Sequence, residues 1–363
     1  MIQKIKNLIT IILFALVCYG FSAAIIFAPK KEYSMTERRA LKKAPLPSSD
    51  SLLSGKFMSD FDDFTLDQFP LRDSFRKIKA NFSKNVLLKK DNHGLYLKNG
   101  YLSKIEYPAN FDKIQKNLTK ISNINTQYLK NTNCNIFYSI IPDKNYFLAQ
   151  NDFPKMDYYA LLQKVQENLS FAKYINIFPL LSLQNFYKTD QHWKQEDLLP
   201  IAQKLTEEMG SKNKIKNPTL NKLENPFYGT YYGQAALSVL PDEIYYYTNP
   251  TMENATVTSY NTGSPQNAQI YNMKKAQGRD PYEMFLEGSN PLITIQNPSA
   301  ATEKELIIFR DSFASSLTPL FIDSYAKITL VDLRYIQSSM LKNFIEFTNQ
   351  DVLFLYSTLI LNN

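Results

Sequence analysis

Three side chains in this sequence have the types that nucleophilic acyl transfer requires. Asp190 and His192 lie two residues apart in the sequence TDQHW, and Ser312 follows a predicted apolar strand, Glu305–Phe309. An Asp at this spacing can accept a hydrogen bond from the histidine Nδ1–H, which fixes the tautomer and leaves Nε2 free to act as a base. A serine at a strand-to-helix turn exposes its Oγ at the sheet edge. The three residues therefore supply a nucleophile, a base and an orienting acid.

Each of these motifs also has a purely structural interpretation. Asp-x-His tripeptides are common by chance, and an isolated one is typical of a structural histidine beside an acid. Asp and Ser are preferred helix N-caps, so Asp311 and Ser312 are also explained by capping alone. If Ser312 is instead the nucleophile, the Phe313 backbone N–H at the start of the next helix is the predicted oxyanion donor.

Composition excludes several classes of protein. The 363 residues include 41 Lys and Arg against 34 Asp and Glu, a net charge of +7, and 44% are hydrophobic, with 24 Phe and 24 Tyr. Such a chain can bury a large core, so disorder and polytopic membrane architecture are excluded. The basic residues form no block interleaved with aromatics, so no nucleic-acid partner is expected.

Cysteine and histidine are scarce. Cys18 lies in an N-terminal apolar run and Cys134 is alone in the remainder, which excludes a disulfide-stapled scaffold. The second histidine, His93, lies in a predicted turn, so His192 has no rival as the base. Zinc sites are usually rich in His and Cys, so no structural metal is expected, and the proposed chemistry requires no cofactor.

An N-terminal apolar run predicts a membrane anchor. After a short tail, residues 1–7, with Lys4 and Lys6, the uncharged run 8–28 is long enough to cross a hydrocarbon core. Cleavage as a signal peptide is the alternative, although Phe21 and Pro29 disfavour the available cleavage sites. More positive residues follow the run than precede it, which favours a cytoplasmic body. A short tail before a large domain is instead the arrangement of a secretory signal anchor, and an extracytoplasmic body is expected.

Residues 29–60 are polar and contain Pro45 and Pro47, which predicts an extended linker. Beyond it, aromatic residues recur at helix-like spacing and are expected to pack in a core. These aromatic residues are Phe57, Phe61, Phe64, Phe69 and Phe75.

Apolar strands alternate with amphipathic helices through the rest of the chain, which is assigned to one domain over residues 61–363. This order predicts an α/β fold with a central parallel sheet between two helical layers and with ligands at the carboxyl ends of the strands. Residues 212–300 interrupt the alternation and are interpreted as an irregular insertion or lid. The predicted strands are Asn135–Ile141, Tyr174–Phe178, Glu305–Phe309, Lys327–Val331 and Asp351–Tyr356.

The combined motifs resemble the DHHW family, which is related to SGNH-type acetyltransferase domains of alginate and other exopolysaccharide O-acetylation proteins. TDQHW is followed after about 120 residues by Asp-Ser-Phe and then by the sequence VDLRY at 331–335. Further matching segments are Glu37–Arg39, Asp67–Arg72, Pro142–Lys144 and Phe227–Tyr231.

The resemblance implies an SGNH-hydrolase-like catalytic domain with Asp190, His192 and Ser312 as its triad. It departs from the family at Gln191, where the family name has His, and at Arg310, where SGNH sequences often have Gly. The first departure spares the triad, and the second leaves the oxyanion donors other than Phe313 open. Trp193, Arg334 and Tyr228 are candidate substrate contacts, although an ion pair with Asp332 would also explain Arg334.

The function expected from these features is serine-dependent acetyl transfer to or from a cell-envelope or exported polysaccharide. The resemblance further implies a multi-span membrane acyltransferase as the partner that passes the acetyl group across the membrane. The sequence leaves transferase and esterase activity open. A different class of protein also fits: a non-catalytic polysaccharide-binding or scaffold protein that uses the tyrosine-rich segment around residues 228–247.

Overall fold

A computed structural model of the chain describes residues 2–211 and 215–363. It divides into two compact units, Met1–His93 with Tyr232–Ser238, and Gly94–Tyr231 with Val239–Asn363. The helices are α1 Ile2–Phe27, α2 Ser49–Leu53, α3 Lys56–Asp67, α4 Arg72–Asn85, α5 Phe111–Ile124, α6 Lys144–Leu148, α7 Tyr158–Asn168, α8 Leu199–Glu208, α9 Thr230–Ala235, α10 Pro250–Asn254, α11 Met273–Ala276, α12 Phe313–Leu317 and α13 Thr358–Asn362.

Fourteen strands lie within the described residues. They are β1 Tyr33–Ser34, β2 Arg39–Ala40, β3 Leu95–Lys98, β4 Tyr101–Lys104, β5 Asn135–Ile141, β6 Lys173–Tyr174, β7 Thr219–Lys222, β8 Tyr245–Thr248, β9 Thr256–Ser259, β10 Gln266–Ala268, β11 Leu292–Gln296, β12 Glu305–Arg310, β13 Lys327–Val331 and β14 Asp351–Ser357.

The N-terminal unit, Met1–His93 with Tyr232–Ser238, begins with one long apolar helix. Within α1, the segment Gln3–Phe27 is long and apolar enough to cross a membrane, and its most apolar stretch of 18 residues has a mean hydropathy of 2.5. At the C-terminal end of α1, the Lys30 ammonium group donates to the carbonyls of Ile25 and Ile26. The helix dipole favours a cation at this end.

The segment 29–60 is more structured than the predicted extended linker. It contains the β1–β2 pair, helix α2 and the first turn of α3. Ser48 starts α2 with a capping box, in which its side chain accepts from the Ser51 N–H and the Ser51 hydroxyl accepts from the Ser48 N–H. Polar residues that suggested a linker therefore serve partly as helix caps.

The predicted aromatic core of this unit forms only in part, with Phe57 and Phe69 partly buried. Phe64 is buried, whereas Phe61 and Phe75 are 41% and 45% exposed. The physical reason is that charged side chains, described below, occupy the inner face of α4, so its aromatic face points outward.

The main unit, Gly94–Tyr231 with Val239–Asn363, is built on an eight-stranded sheet in the order β10-β9-β11-β13-β12-β14-β5-β6. The five strands from β13 to β6 run parallel, while β11, β9 and β10 pair antiparallel at the other end. The predicted α/β class is confirmed, with the sheet mixed rather than wholly parallel. The antiparallel strands come from residues 212–300, the irregular insertion predicted above, which was expected to contain some strand.

The central strands are buried on both faces because two apolar clusters cover them. In β12, Leu306 and Ile308 contribute to one cluster and Ile307 and Phe309 to the other. Side chains alternate between the faces of a strand, so a strand covered by helices on both sides becomes an uninterrupted apolar run. The polar residues that follow these strands are thereby held at one edge of the sheet.

Candidate active site

Ser312, His192 and Asp190 form a continuous hydrogen-bonded series. Ser312 Oγ lies 2.8 Å from His192 Nε2, and His192 Nδ1 lies 2.6 Å from Asp190 Oδ1. Asp190 is fully buried, His192 is nearly so, and Ser312 is partly exposed. A carboxylate at Nδ1 keeps the proton on that nitrogen, so Nε2 can accept the Ser312 hydroxyl proton. The three residues named from the sequence are thus brought together across 120 residues of chain.

The Asp190 carboxylate is oriented by the chain segment around Gly229. The Thr230 N–H donates to Asp190 Oδ2 at 2.7 Å, and the Gly229 N–H donates to Thr189 Oγ1 at 2.9 Å. A Cβ at position 229 would lie only 2.3 Å from Asp190 Cβ. Glycine is therefore required here by close backbone approach.

Ser312 does not cap the helix that follows it. Its side chain makes no capping hydrogen bond, and Asp311 Oδ1 instead accepts from the Phe313 N–H at 3.0 Å. Asp311 Oδ2 also accepts from the Ser357 N–H at 2.7 Å, which joins the ends of β12 and β14. Asp311 therefore performs the structural role considered for Ser312. The Phe313 N–H, predicted as an oxyanion donor, is directed at this carboxylate.

Trp193, named as a candidate substrate contact, is located in the core instead. Its side chain is fully buried, and its indole N–H donates to Phe313 O at 2.9 Å and to Ser316 Oγ at 3.1 Å. A buried tryptophan usually satisfies its single donor in this way. Trp193 thus fastens the His192 segment to the first turn of α12, and its burial excludes direct contact with a substrate in this conformation.

The other two candidate contacts are nearer the surface. Arg334 makes a two-bond ion pair with Asp332, at 2.9 and 2.6 Å, which is the structural alternative considered for it. Its side chain is 35% exposed. Tyr228, which adjoins Gly229, is 43% exposed. Of the three candidates, Tyr228 is the most accessible to a ligand.

Tyr282 stacks on the histidine and was not identified from the sequence. Its ring lies 3.8 Å from the His192 ring with only 7° between the planes. The Tyr282 hydroxyl is 2.9 Å from Ser316 Oγ, and burial raises its pKa well above the usual value. The residue belongs to the segment interpreted as a lid, and no local sequence signal connects it with a histidine 90 positions away.

Two buried cations also adjoin the triad. Lys144 donates through Nζ to Tyr187 O at 2.9 Å and to Lys188 O at 3.3 Å, and lies 5.0 Å from the centre of the Tyr231 ring. Burial lowers its pKa to about 7, although the nearby Asp190 carboxylate opposes this shift. The Pro-Asp-Lys segment contributed to the family resemblance, but nothing in the sequence placed its lysine beside Asp190.

Arg310, the second cation, precedes the Asp-Ser pair directly and is fully buried. Its guanidinium donates to Ser315 Oγ at 2.9 Å and to Gly288 O at 3.3 Å, and its Nε has no hydrogen-bond partner among the described residues. Burial lowers its pKa from the usual value. Arg310 thus occupies the place of the small residue common in SGNH sequences and ties β12 to the loop before β11.

Gln191 is a polar side chain directly beside the reacting atoms. Its Nε2 lies 3.5 Å from His192 Nε2, which in turn faces Ser312 Oγ. An amide N–H at this place can donate to negative charge that develops on a substrate oxygen. The residue that departs from the DHHW pattern therefore has a position from which it can contribute to the chemistry.

A cavity of about 470 Å³ opens beside the segment that carries Asp190. Its lining combines Lys188 and Lys194 from that segment with Lys222 and Tyr245 from the β7–β8 pair. Glu196 also lines it, and burial raises the pKa of that carboxyl group to about 7. Within residues 2–211 and 215–363, no group of three or more His, Cys, Asp and Glu side chains could hold a metal ion.

The mixed α/β sheet thus brings a serine, a histidine and an aspartate together at its edge. No protein-family model and no curated protein matches the sequence. Among solved structures, a DHHW family protein from Eubacterium siraeum aligns with a TM-score of 0.61 and 19% identity, over 75% of this chain and 93% of that one.

PatB1 from Bacillus cereus is also similar in structure. It aligns with a TM-score of 0.56 and 18% identity, over 74% of this chain and 97% of that one. A second structure of PatB1, with a sulfonyl adduct, aligns with a TM-score of 0.59 and 19% identity, over 74% and 96%. The structures that share this fold thus include a member of the DHHW family, which the sequence resembles.

Proposed function

We propose that this chain is a serine-dependent enzyme that transfers acetyl groups to, or removes them from, a cell-envelope or exported polysaccharide. The observation that carries the proposal is the hydrogen-bonded series from Ser312 through His192 to Asp190. The resemblance to SGNH-type acetyltransferase domains supports acetyl as the transferred group. The proposed reaction requires no cofactor.

In the first half of the reaction, Ser312 Oγ attacks the acetyl carbonyl carbon while His192 Nε2 takes the hydroxyl proton. The ionised Asp190 stabilises the imidazolium through Nδ1–H. The tetrahedral oxyanion then collapses, the bond to the donor oxygen breaks, and His192 returns the proton to that leaving oxygen. The product is acetyl-Ser312.

In the second half, His192 takes a proton from an acceptor hydroxyl, whose oxygen attacks acetyl-Ser312. Collapse restores the Ser312 hydroxyl with the proton from His192. The acceptor is a sugar hydroxyl in a transferase and water in an esterase. We assign the Gln191 amide as an oxyanion donor together with the Phe313 N–H, which would then be shared with Asp311.

The cavity lined by Lys188, Lys194 and Tyr245 is the proposed place of the polysaccharide. Its lining offers hydrogen-bond donors, acceptors and an aromatic face, which are the groups that hydroxyl-rich ligands need. Tyr228 is a proposed contact at the exposed side of the Gly229 segment. Arg334 remains a weaker proposal because Asp332 already holds it.

Helix α1 is the proposed membrane anchor, with the main unit on the extracytoplasmic side. The proposed partner is a multi-span membrane acyltransferase that supplies the acetyl group. Protease added to intact protoplasts or spheroplasts should digest the body of the protein. Complete protection there, with digestion after lysis, would overturn the extracytoplasmic assignment.

The central test uses the full chain in detergent with a chromogenic acetyl ester, with and without an oligosaccharide acceptor. Wild type should release acetyl and should react with a sulfonyl fluoride at Ser312, detected by mass spectrometry of peptides. Ser312→Ala and His192→Ala should lose the activity, with Ser264→Ala, at an exposed serine of the main unit, as a control.

The outcome separates the possible functions. Acetyl found on the sugar indicates a transferase, and acetate released to water indicates an esterase. A folded wild-type protein that binds oligosaccharide but neither hydrolyses the ester nor reacts with the sulfonyl fluoride would instead favour the non-catalytic binding or scaffold protein.

A further inference from the structure

Helix α4 carries an apolar stripe on its exposed side. The stripe residues recur at spacings of four, three, four and four. This spacing places them on one face of α4 and at the residues that flank it at both ends. Each of them is between 45% and 71% exposed. They are Leu71, Phe75, Ile78, Phe82 and Val86.

The opposite face of α4 is held inward by charge. Arg72 and Arg76 both pair with Glu37, and Ala80, one turn further on, is only 1% exposed. Because these ion pairs fix the rotation of the helix, the apolar stripe cannot turn into the unit. Outside α1, most exposed Leu, Ile, Val and Phe side chains of the described residues lie between residues 46 and 88. Large apolar patches on one surface indicate a binding surface.

One end of the stripe is in contact with α1. The Phe21 ring lies 5.0 Å from that of Phe69 and 6.0 Å from that of Phe75. Phe21 is six residues before Phe27, the last residue of α1, which corresponds to about 9 Å along the helix axis. If α1 spans a bilayer as proposed above, Phe75 therefore lies at the level of its hydrocarbon region.

Basic side chains accompany the apolar face. Exposed Lys79 lies beside it, and Lys89 and Lys90 follow the helix together with exposed Leu87 and Leu88. An apolar face bordered by lysines is typical of a helix that lies in the lipid–water interface, where the lysine side chains extend toward the headgroups.

We propose that α4 lies in the membrane interface, with its apolar stripe among the acyl chains of the leaflet that α1 leaves at its C-terminal end. The chain then contacts the bilayer through two elements, one spanning and one interfacial. This inference rests on the membrane anchorage proposed above and adds lipid as the partner of this helix face.

The test measures the depth of α4 with a new tryptophan. The full chain is reconstituted into liposomes of phosphatidylcholine and phosphatidylglycerol whose acyl chains are brominated or unbrominated. The native Trp193 is fully buried, so its emission serves as a constant background. Ile78→Trp places the reporter in the stripe, and Tyr159→Trp, at a residue 79% exposed in the main unit, is the control.

The reporter of Ile78→Trp is expected to emit at shorter wavelength than that of Tyr159→Trp and to lose roughly half of its emission in brominated lipid, as expected for an interfacial helix. The control reporter should lose none. Protein that floats with the liposomes while the Ile78→Trp reporter emits like a water-exposed residue would overturn the interfacial assignment and leave the anchor intact. Blue-shifted emission without quenching would show that protein covers the stripe, and would also overturn it. Failure to float with the liposomes would refute both proposals.

Discussion

Buried or partly buried cations in two regions of the molecule differ in how their charge is compensated. In the N-terminal unit each of these cations meets a carboxylate. Arg39 binds both oxygens of Asp67, while Arg72 and Arg76 pair with Glu37. The hydrogen bonds from Arg39 lower the pKa of Asp67, although burial opposes this effect.

Beside the triad, Lys144 and Arg310 meet carbonyl oxygens and hydroxyl groups rather than carboxylates. Burial lowers the pKa of both. Uncompensated buried charge is unfavourable, and functional sites are where proteins retain it. The cations of the N-terminal unit are thus held by directly bonded carboxylates, whereas Lys144 and Arg310 are held by neutral groups beside the proposed triad.

The largest expected effect is on the triad itself. Asp190→Asn should lower acetyl-ester turnover on the order of a thousandfold or more, because an amide cannot stabilise the imidazolium or select the tautomer. Steady-state kinetics checks this, with Asp112→Asn, at an exposed carboxylate on α5 of the main unit, as a control. Near-normal turnover in folded Asp190→Asn would remove Asp190 from the mechanism.

Substitution of one glycine in each unit tests the comparison between the two units. In Gly229→Ala the new methyl group meets Asp190, and in Gly233→Ala it meets Thr36 O, at 1.5 Å, in the N-terminal unit. Each should destabilise its own unit by about 1–3 kcal/mol, as overpacking usually does. Only Gly229→Ala is expected to reduce turnover as well. Unfolding curves and kinetics on both variants test this, and equal loss of turnover in the two would contradict it.

Lys144 should make stability depend on pH. Its pKa is about 7 in the folded protein and near 10.5 when unfolded, so the unfolded chain binds the extra proton between those values. The free energy of unfolding of wild type should therefore rise relative to that of Lys144→Met as pH increases from 7 to 10.5, on the order of a few kcal/mol. Denaturant unfolding of both proteins at about pH 6 and about pH 9.5 measures this, and a constant difference would refute it.

The smallest expected effect concerns the paired network. Asp67→Asn should lower the free energy of unfolding by about 1–3 kcal/mol because it removes the two-bond pair with Arg39, which then keeps its contact with Glu37. The partial exposure of Arg39 limits the loss. Asp63→Asn breaks an exposed pair with Lys42 and should change the free energy of unfolding by less than about 0.5 kcal/mol. Because the pKa of Asp67 is lowered on folding, its contribution should disappear below about pH 4. Neither variant should alter turnover of the folded protein.

Local patterns in the sequence determined much of this protein. The apolar run of α1 and strands β5, β12, β13 and β14 follow from hydrophobicity over a few consecutive residues, which needs no partner to be recognised. The same holds for Asp190 and His192, whose spacing allows their contact, and for Ser312 after an apolar strand. The predicted strand Tyr174–Phe178 is present only at Tyr174, the last residue of β6. The α/β class followed from the alternation of these elements.

Other features were decided only by the tertiary structure. Tyr282 and Lys144 reach the site from helical segments that are distant in the sequence. Asp311 rather than Ser312 caps the helix because β14 supplies the Ser357 N–H beside it. The sequence could not predict that the aromatic face of α4 is exposed, because this also depends on tertiary contacts. Periodicity shows that a helix has an apolar face, but which face is buried depends on the partners of the other one, here Glu37 and its arginines.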